Sequence, residues 1–341
     1  VKVVIVGGGI AGLSAAWELG NRGVQDITVL DRYPMATRAS WAGGGILSPI
    51  CPWDYPETVQ RLFLDSFSQY DEFFARIHAE SGIDPEYLRC GLRIRGVNRD
   101  QSANWCQRHR VNFEILTEAS ASSDECEIFL PDFAQVRNPR LLKALLRLLT
   151  KRGVRFVPGV EILPPKPERG DEALLSYVTD GKQRWYADAF VAATGAWTAH
   201  WLGEENLPAP VKGQMVLFDS GVTGVRPMLI DHEVYLIPRS DGLVLVGSTL
   251  EPGVWDSLPD AESVNRLMTE ARRLDARLSE DKAIASWAGL RPYQPHGIPL
   301  IGPSARFGNL HLHCGHYRNG FNLNPASCQR LVDGLLASSQ G

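Results

Sequence analysis

The sequence has no apolar run approaching the roughly 20 residues a helix needs to cross a bilayer, so no membrane-spanning helix is expected. It has no excess of positive charge either: 35 Lys and Arg against 39 Asp and Glu leave a formal net charge of −4. Without a basic field, nucleic acid is not an expected partner. The six cysteines (Cys51, Cys90, Cys106, Cys126, Cys314, Cys328) lack CxxC spacing. They read as reduced thiols in a cytoplasmic setting, not as a disulfide framework or a zinc site. His311 and His313 alternate on a strand pattern, but no acidic or histidine partners stand at ligand spacing, so no metal is expected. No internal repeat and no long low-complexity tract is present, and no cleavable leader is expected ahead of a strand that begins at the first residues.

What the chain has is glycine, 32 residues in 341, and much of it is clustered. The apolar, β-branched run Val3-Val4-Ile5-Val6 leads into Gly7-x-Gly9-x-x-Gly12, and a helical pattern (Leu13, Ala15, Ala16, Leu19) follows at once. Strand, turn and helix in that order are what a dinucleotide site requires: Gly7 for the tight turn, Gly9 for close approach to a pyrophosphate, Gly12 for helix–strand packing. A second strand, Ile27-Thr28-Val29-Leu30, ends in Asp31, placed to accept hydrogen bonds from ribose hydroxyls. Arg32 beside it reads as a solvated loop residue rather than a sign of a 2′-phosphate, which the acid would repel. A second glycine cluster, Gly43-Gly44-Gly45 after Ser40, lies among small and apolar neighbours and suits a buried contact with the same ligand.

Apolar residues at helical spacing predict one long amphipathic helix over 57–81, whose aromatics belong to the core. Residues 87–97 read as a strand pair, and 118–127 as a polar, exposed excursion. From 138 a helix and a strand resume the doubly wound pattern, 164–170 is a turn, and 174–179 with 183–186 reads as a hairpin. Alternating strands fill 211–285, with a polar helix over 260–278, and the C-terminal part returns to a strand at 310–316 and a helix from about 325 to 336.

Here spacing gives way to resemblance. Residues 189–197, ending in Thr194-Gly195, resemble the ATG strand of flavoproteins with two dinucleotide-type halves. Residues 289–303, Gly289-Leu290-Arg291-Pro292 onward to Ile301-Gly302-Pro303, are similar to the GxRPxTPDGxPxIGP pattern of the D-amino-acid oxidase superfamily. Gln294 and His296 stand at its more variable places. The stretches 235–239, 247–253 and 315–320 are similar to the glycine oxidase branch of that superfamily.

The resemblance implies an α/β fold: a Rossmann-like FAD-binding domain (1–83, 137–205 and 288–341) with an inserted, mostly antiparallel α+β substrate domain (84–136 and 206–287). It implies FAD, held non-covalently, on Gly7, Gly9, Ile10, Ala11 and Gly12, with Asp31 and Arg32 beyond them. Ala39, Ser40, Gly44, Gly45, Ile46 and Val160 would line its path, with Thr194 and Gly195. His316, Tyr317, Arg318, Asn319, Gly320, Phe321 and Asn322 would close the cofactor site.

For the substrate, the resemblance makes Arg291 a bidentate clamp on a carboxylate, Tyr235 a second donor to it, and Arg318 the arginine that closes the site. A planar fork is the donor such a group needs in a water-poor pocket. A surface ion pair (Arg291), sheet packing (Tyr235) and a structural role (Arg318) are the alternatives. Ile46 and Leu250 take the places of pocket methionines in Bacillus-type relatives. Glu233 either draws the substrate ammonium or is a rim acid.

The implied activity is oxidative deamination of glycine, with sarcosine or small D-amino acids as further substrates. Hydride passes to flavin N5, the imine hydrolyses to a 2-oxo acid and ammonia, and oxygen becomes hydrogen peroxide. A place in thiamine-thiazole synthesis and a homotetramer are also implied. The alternatives are a D-amino-acid dehydrogenase using a quinone, and a flavin-binding protein without turnover.

Overall fold

The computed structural model describes residues 1–117, 124–166, 174–204 and 207–338. The apolar run at the N-terminus forms Lys2–Val6, an inner strand of a six-stranded sheet. Asp26–Asp31 and Ala189–Ala192 flank it, both parallel to it. Arg155–Pro158 extends one side and Leu310–Cys314 the other, again in parallel, and Leu300–Pro303 closes that edge antiparallel. Because the chain leaves Lys2–Val6 in both directions across the sheet, a crevice opens at the carboxyl ends of these strands.

Side chains alternate across the strands. Val3, Ile5, Val29 and Val191 pack under the helices Ile10–Asn21, Asn138–Lys151, Tyr70–Ser81 and Asn324–Ser338. Val4, Val6, Leu30 and Phe190 face the other way, toward Trp185, Trp201 and Phe307. Gly12 sets how closely the first helix approaches its strand, since a Cβ there would collide with the Gly7 carbonyl oxygen. Gly7 itself has φ +116°, and a Cβ would run into the Ala193 carbonyl.

The second sheet runs Glu251–Pro252, Ala209–Asp219, Leu243–Gly247, Val234–Pro238, Met228–Asp231, Leu92–Asn98, Glu125–Leu130 and Glu114–Thr117, with Ala283–Tyr293 paired along Ala209–Asp219. Its neighbours are antiparallel except Met228–Asp231 with Leu92–Asn98. Segments from both sides of residue 137 therefore share one sheet. The boundary drawn at 287/288 falls inside Ala283–Tyr293, so Arg291 stands on a strand of this second sheet.

Three local expectations are corrected. The long helix over 57–81 is two helices, Glu57–Phe67 and Tyr70–Ser81. The break lies where the Ser68 hydroxyl and the Gln69 amide both donate to the Asp65 carbonyl, competing with the helical ladder. The apolar spacing survives the break because both pieces pack inward. The strands at 87–97 do not pair with each other: Gly91, at φ +78°, separates them. Leu88–Arg89 pairs with Ala134–Gln135, while Leu92–Asn98 joins the large sheet. Of the excursion over 118–127, residues 118–123 lie outside the described residues, and the remainder enters the strand Glu125–Leu130. There Glu127 is buried against Arg93 and Arg95, which accounts for a polar residue at an inner position. Part of the turn at 164–170 also lies outside the described residues. The hairpin forms as Tyr177–Thr179 with Arg184–Tyr186. Among the described residues no helix is long and apolar enough to cross a membrane.

Candidate active site

One cavity runs from the carboxyl end of Asp26–Asp31, past the start of helix Ile10–Asn21, to the second sheet. At its first end, Asp31 accepts from the Gly8 amide (2.7 Å) and the Tyr33 amide (2.8 Å). Burial raises its pKa, and these two bonds oppose the rise. Arg32 is not simply solvated, as its sequence context had it. It lies over Trp197 at 4.6 Å and Tyr33 at 4.9 Å and pairs with Glu161 at 3.0 Å, so two carboxylates stand at this end of the cavity. Arg38, stacked on Tyr33 at 3.5 Å, also lines the cavity. Sequence reasoning missed it, although it sits two residues before Ser40.

Next come Gly7, Gly9, Ile10 and Ala11, which bring the helix N-terminus to the cavity wall, a position suited to an anion. Ser40 Oγ accepts from the Ile10 amide at 2.9 Å, which ties the second glycine cluster to that N-terminus. Ala39, Gly44, Gly45 and Ile46 line the same stretch. Asn138, not singled out from the sequence, donates to the Ser40 carbonyl at 3.0 Å while its Oδ1, buried, has no partner among the described residues. Val160, Thr194 and Gly195 line the cavity too, Thr194 beside Gly7 and Val160 donating its amide to the Asp31 carbonyl.

His316 to Phe321 line the cavity's middle. Asn322 does not: it is buried behind them and donates to Asn319 Oδ1 at 3.0 Å. Gly12 also lies off the cavity, and its close packing on Gly7 accounts for its place. His313 and His316 are buried with rings 4.9 Å apart. Burial pushes His313 down to about 4 and His316 in the same direction. Since an Nδ1–H must donate to the Ala11 carbonyl at 3.1 Å, the neutral tautomer of His313 is set.

At the far end, Tyr235 on Val234–Pro238 and Arg291 on Ala283–Tyr293 face the cavity together. The Tyr235 hydroxyl, nearly buried, donates to the Met215 thioether sulfur at 3.2 Å, a weak acceptor, and its oxygen accepts from the Arg291 guanidinium. Arg291 donates to the Thr249 carbonyl at 3.1 Å and to Ser248 Oγ at 2.7 Å, and has no carboxylate partner among the described residues. Burial lowers its pKa and the nearby Tyr235 opposes that, but a guanidinium stays charged. A partly buried cation without a carboxylate among the described residues and a buried phenol whose proton goes to a thioether share one pocket, and a carboxylate would satisfy both. Arg318, half-buried, lines the same end without an ion-pair partner among the described residues. Two expected pocket residues are elsewhere. Glu233 is exposed in the turn before Val234–Pro238, where strand alternation does not yet apply, and Leu250 is 37% exposed; neither lines the cavity.

Residues 2–333 match the family described as FAD dependent oxidoreductase, DAO. The chain belongs to this family. It is 38% identical to the glycine oxidase of Pseudomonas putida over 97% of its own length and 93% of that protein. It is 30% identical to the bifunctional protein ThiO/ThiG of a Synechocystis species, over 98% of this chain and 51% of that one. In structure it is similar to glycine oxidase from Bacillus cereus, with a TM-score of 0.86 over 98% of this chain and 95% of that one at 23% identity.

FAD is the cofactor of this family, and the cavity fits it. The glycine-lined helix start suits a pyrophosphate, Asp31 suits ribose hydroxyls, and the buried Asn138 Oδ1, without a partner among the described residues, can accept from a bound group. The residues that would hold FAD are those of this wall, and Tyr235 and Arg291 line the cavity's far end.

The buried histidines under the cofactor wall carry a pH consequence. His313 titrates lower in the folded protein than its ordinary 6.5, so the unfolded chain binds the proton first as pH falls. Its contribution is complete above about pH 6.5 and declines toward pH 4, by about 3 kcal/mol at most. Thermal melting across that window should show wild type losing more stability than His313→Asn, and parallel curves would contradict the assignment.

Proposed function

We propose that this protein is an FAD-dependent glycine oxidase. The observation that carries the reading is the Tyr235–Arg291 pair, which has no carboxylate partner among the described residues and stands at the end of the cavity. The similarity to a Pseudomonas putida protein named glycine oxidase supports the same substrate. Sarcosine, D-alanine and D-proline are the further substrates proposed, since each keeps the carboxylate and a small substituent.

Arg291 and Tyr235 hold the carboxylate, which fixes the substrate's Cα and restricts its rotation. Burial of both groups keeps water from competing for those bonds. Arg318 adds positive charge at the same end and closes the site over the substrate. Bound FAD supplies the two-electron oxidation of the C–N bond and returns the electrons to oxygen. In sum, glycine, water and oxygen give glyoxylate, ammonia and hydrogen peroxide. FAD is held without a covalent link: Cys314, which lines the cavity, is pushed up to about 12 by burial and stays a thiol at neutral pH. The similarity to a protein named ThiO/ThiG supports a role in supplying thiamine-thiazole synthesis.

Peroxide release from the four substrates in air tests the reading. Glycine should give peroxide with a kcat/KM at or near the highest of the set, and flavin bleaching without peroxide would instead make the chain a dehydrogenase. Tyr235→Phe should raise KM for glycine about tenfold or more with little change in kcat, the loss of one hydrogen bond to a charged group. A KM equal to wild type would remove Tyr235 from the clamp.

A further inference from the structure

The Arg291 guanidinium does not lie over its own cross-strand neighbour. Arg291 pairs with Val211 on Ala209–Asp219, yet its guanidinium lies over Gly213, two residues along the same face. A Cβ on Gly213 would coincide with Nη1, Cζ and Nη2. Gly213 is not among the residues with positive φ, so its backbone imposes no need for glycine, and space for the guanidinium is what it provides.

The orientation of the fork is set from the other side. Ser248, 5% exposed and just past the strand Leu243–Gly247, accepts from Nη2 at 2.7 Å, and the Thr249 carbonyl accepts from Nη1 at 3.1 Å. That segment is itself fixed. The Gln214 amide donates to Thr249 Oγ1 at 3.1 Å, the Thr249 hydroxyl donates to Glu251, and Gln214 Nε2 donates to Glu251 Oε1 at 2.8 Å. One N–H on each terminal nitrogen is thus held from behind, which fixes the guanidinium plane and leaves the other donors to Tyr235 and the cavity.

We propose that Ser248 and Gly213 are positioning residues of the carboxylate clamp. Ser248 holds the plane of the Arg291 fork, and Gly213 keeps the place in which the fork lies. This rests on the reading of Arg291 as the donor to the substrate carboxylate. The atoms a Gly213 Cβ would displace are the far end of a flexible side chain, so Gly213→Ala moves the clamp while the strands keep their pairing.

The test uses holoenzyme of Gly213→Ala, Ser248→Ala, Ser248→Thr and Arg291→Ala. Acetate, a carboxylate without an oxidisable amine, is titrated against the flavin absorption spectrum, alongside glycine kinetics, FAD content and melting temperature. Gly213→Ala and Ser248→Ala should weaken acetate and raise KM for glycine about tenfold or more, with FAD content and melting temperature as in wild type. Ser248→Thr, which keeps the hydroxyl, should restore acetate binding. The proposal is overturned if both variants bind acetate as wild type does while Arg291→Ala does not. It is equally overturned if the losses track FAD loss and Ser248→Thr fails to restore binding. Acetate binding undiminished in Arg291→Ala would overturn the clamp itself. Should Gly213→Ala yield no soluble holoenzyme, the Ser248 pair decides.

Discussion

Arg291→Ala should lower kcat/KM for glycine by about a thousandfold while FAD content stays that of wild type. The guanidinium is partly buried, is held from behind by Ser248 and Thr249, and has no carboxylate of its own among the described residues. Removing it strands a substrate carboxylate in a pocket from which water is largely excluded, and truncating one side of a buried, hydrogen-bonded charge pair costs about 2–5 kcal/mol. Arg291→Lys should recover only part of the loss, because an ammonium is a point donor and cannot match both carboxylate oxygens in one plane. Steady-state kinetics with a flavin absorption spectrum as the control checks this. A kcat/KM within a few fold of wild type would mean that the carboxylate is bound elsewhere.

Gly12→Val should abolish FAD retention and destabilise the protein by about 3 kcal/mol or more, the cost of forcing bulk into a close-packed contact. Even the first carbon of that side chain meets the carbonyl oxygen of Gly7, a residue that lines the cavity. Helix Ile10–Asn21 would have to lift from Lys2–Val6, taking Gly9, Ile10 and Ala11 from the cavity wall. Absorbance of the purified protein and a melting curve are the checks. A yellow variant with an unchanged melting temperature would show that the helix can shift at little cost.

The cofactor half of the site was legible in the sequence because its determinants are local. Gly7, Gly9 and Gly12 act within one turn, Asp31 ends the next strand, and Thr194-Gly195 and 316–321 each lie in a single stretch of cavity wall. What was not legible depends on register between distant strands. Ser248 meets Arg291 only because Ala209–Asp219 pairs with both Leu243–Gly247 and Ala283–Tyr293, and Met215 meets Tyr235 only because Leu243–Gly247 lies between their two strands. Gly213 looks like any strand glycine until that pairing is known. Leu250 was assigned to the pocket wall, yet Ser248, two residues earlier, is the one that reaches the site. Glu233 was misplaced because alternation was counted back beyond the start of Val234–Pro238 into its turn. The single helix over 57–81 failed for a related reason: periodicity reports which residues face inward, and two inward-facing helices in succession give nearly the same pattern as one.

The most direct test of the account is to mix the holoenzyme with glycine in the absence of oxygen and record the flavin spectrum, then admit air. The account predicts that the yellow absorbance is lost on mixing and returns in air, with one equivalent each of glyoxylate and hydrogen peroxide formed per flavin cycle. A flavin that stays oxidised in saturating glycine, in a protein that retains FAD and binds acetate through Arg291, would contradict it.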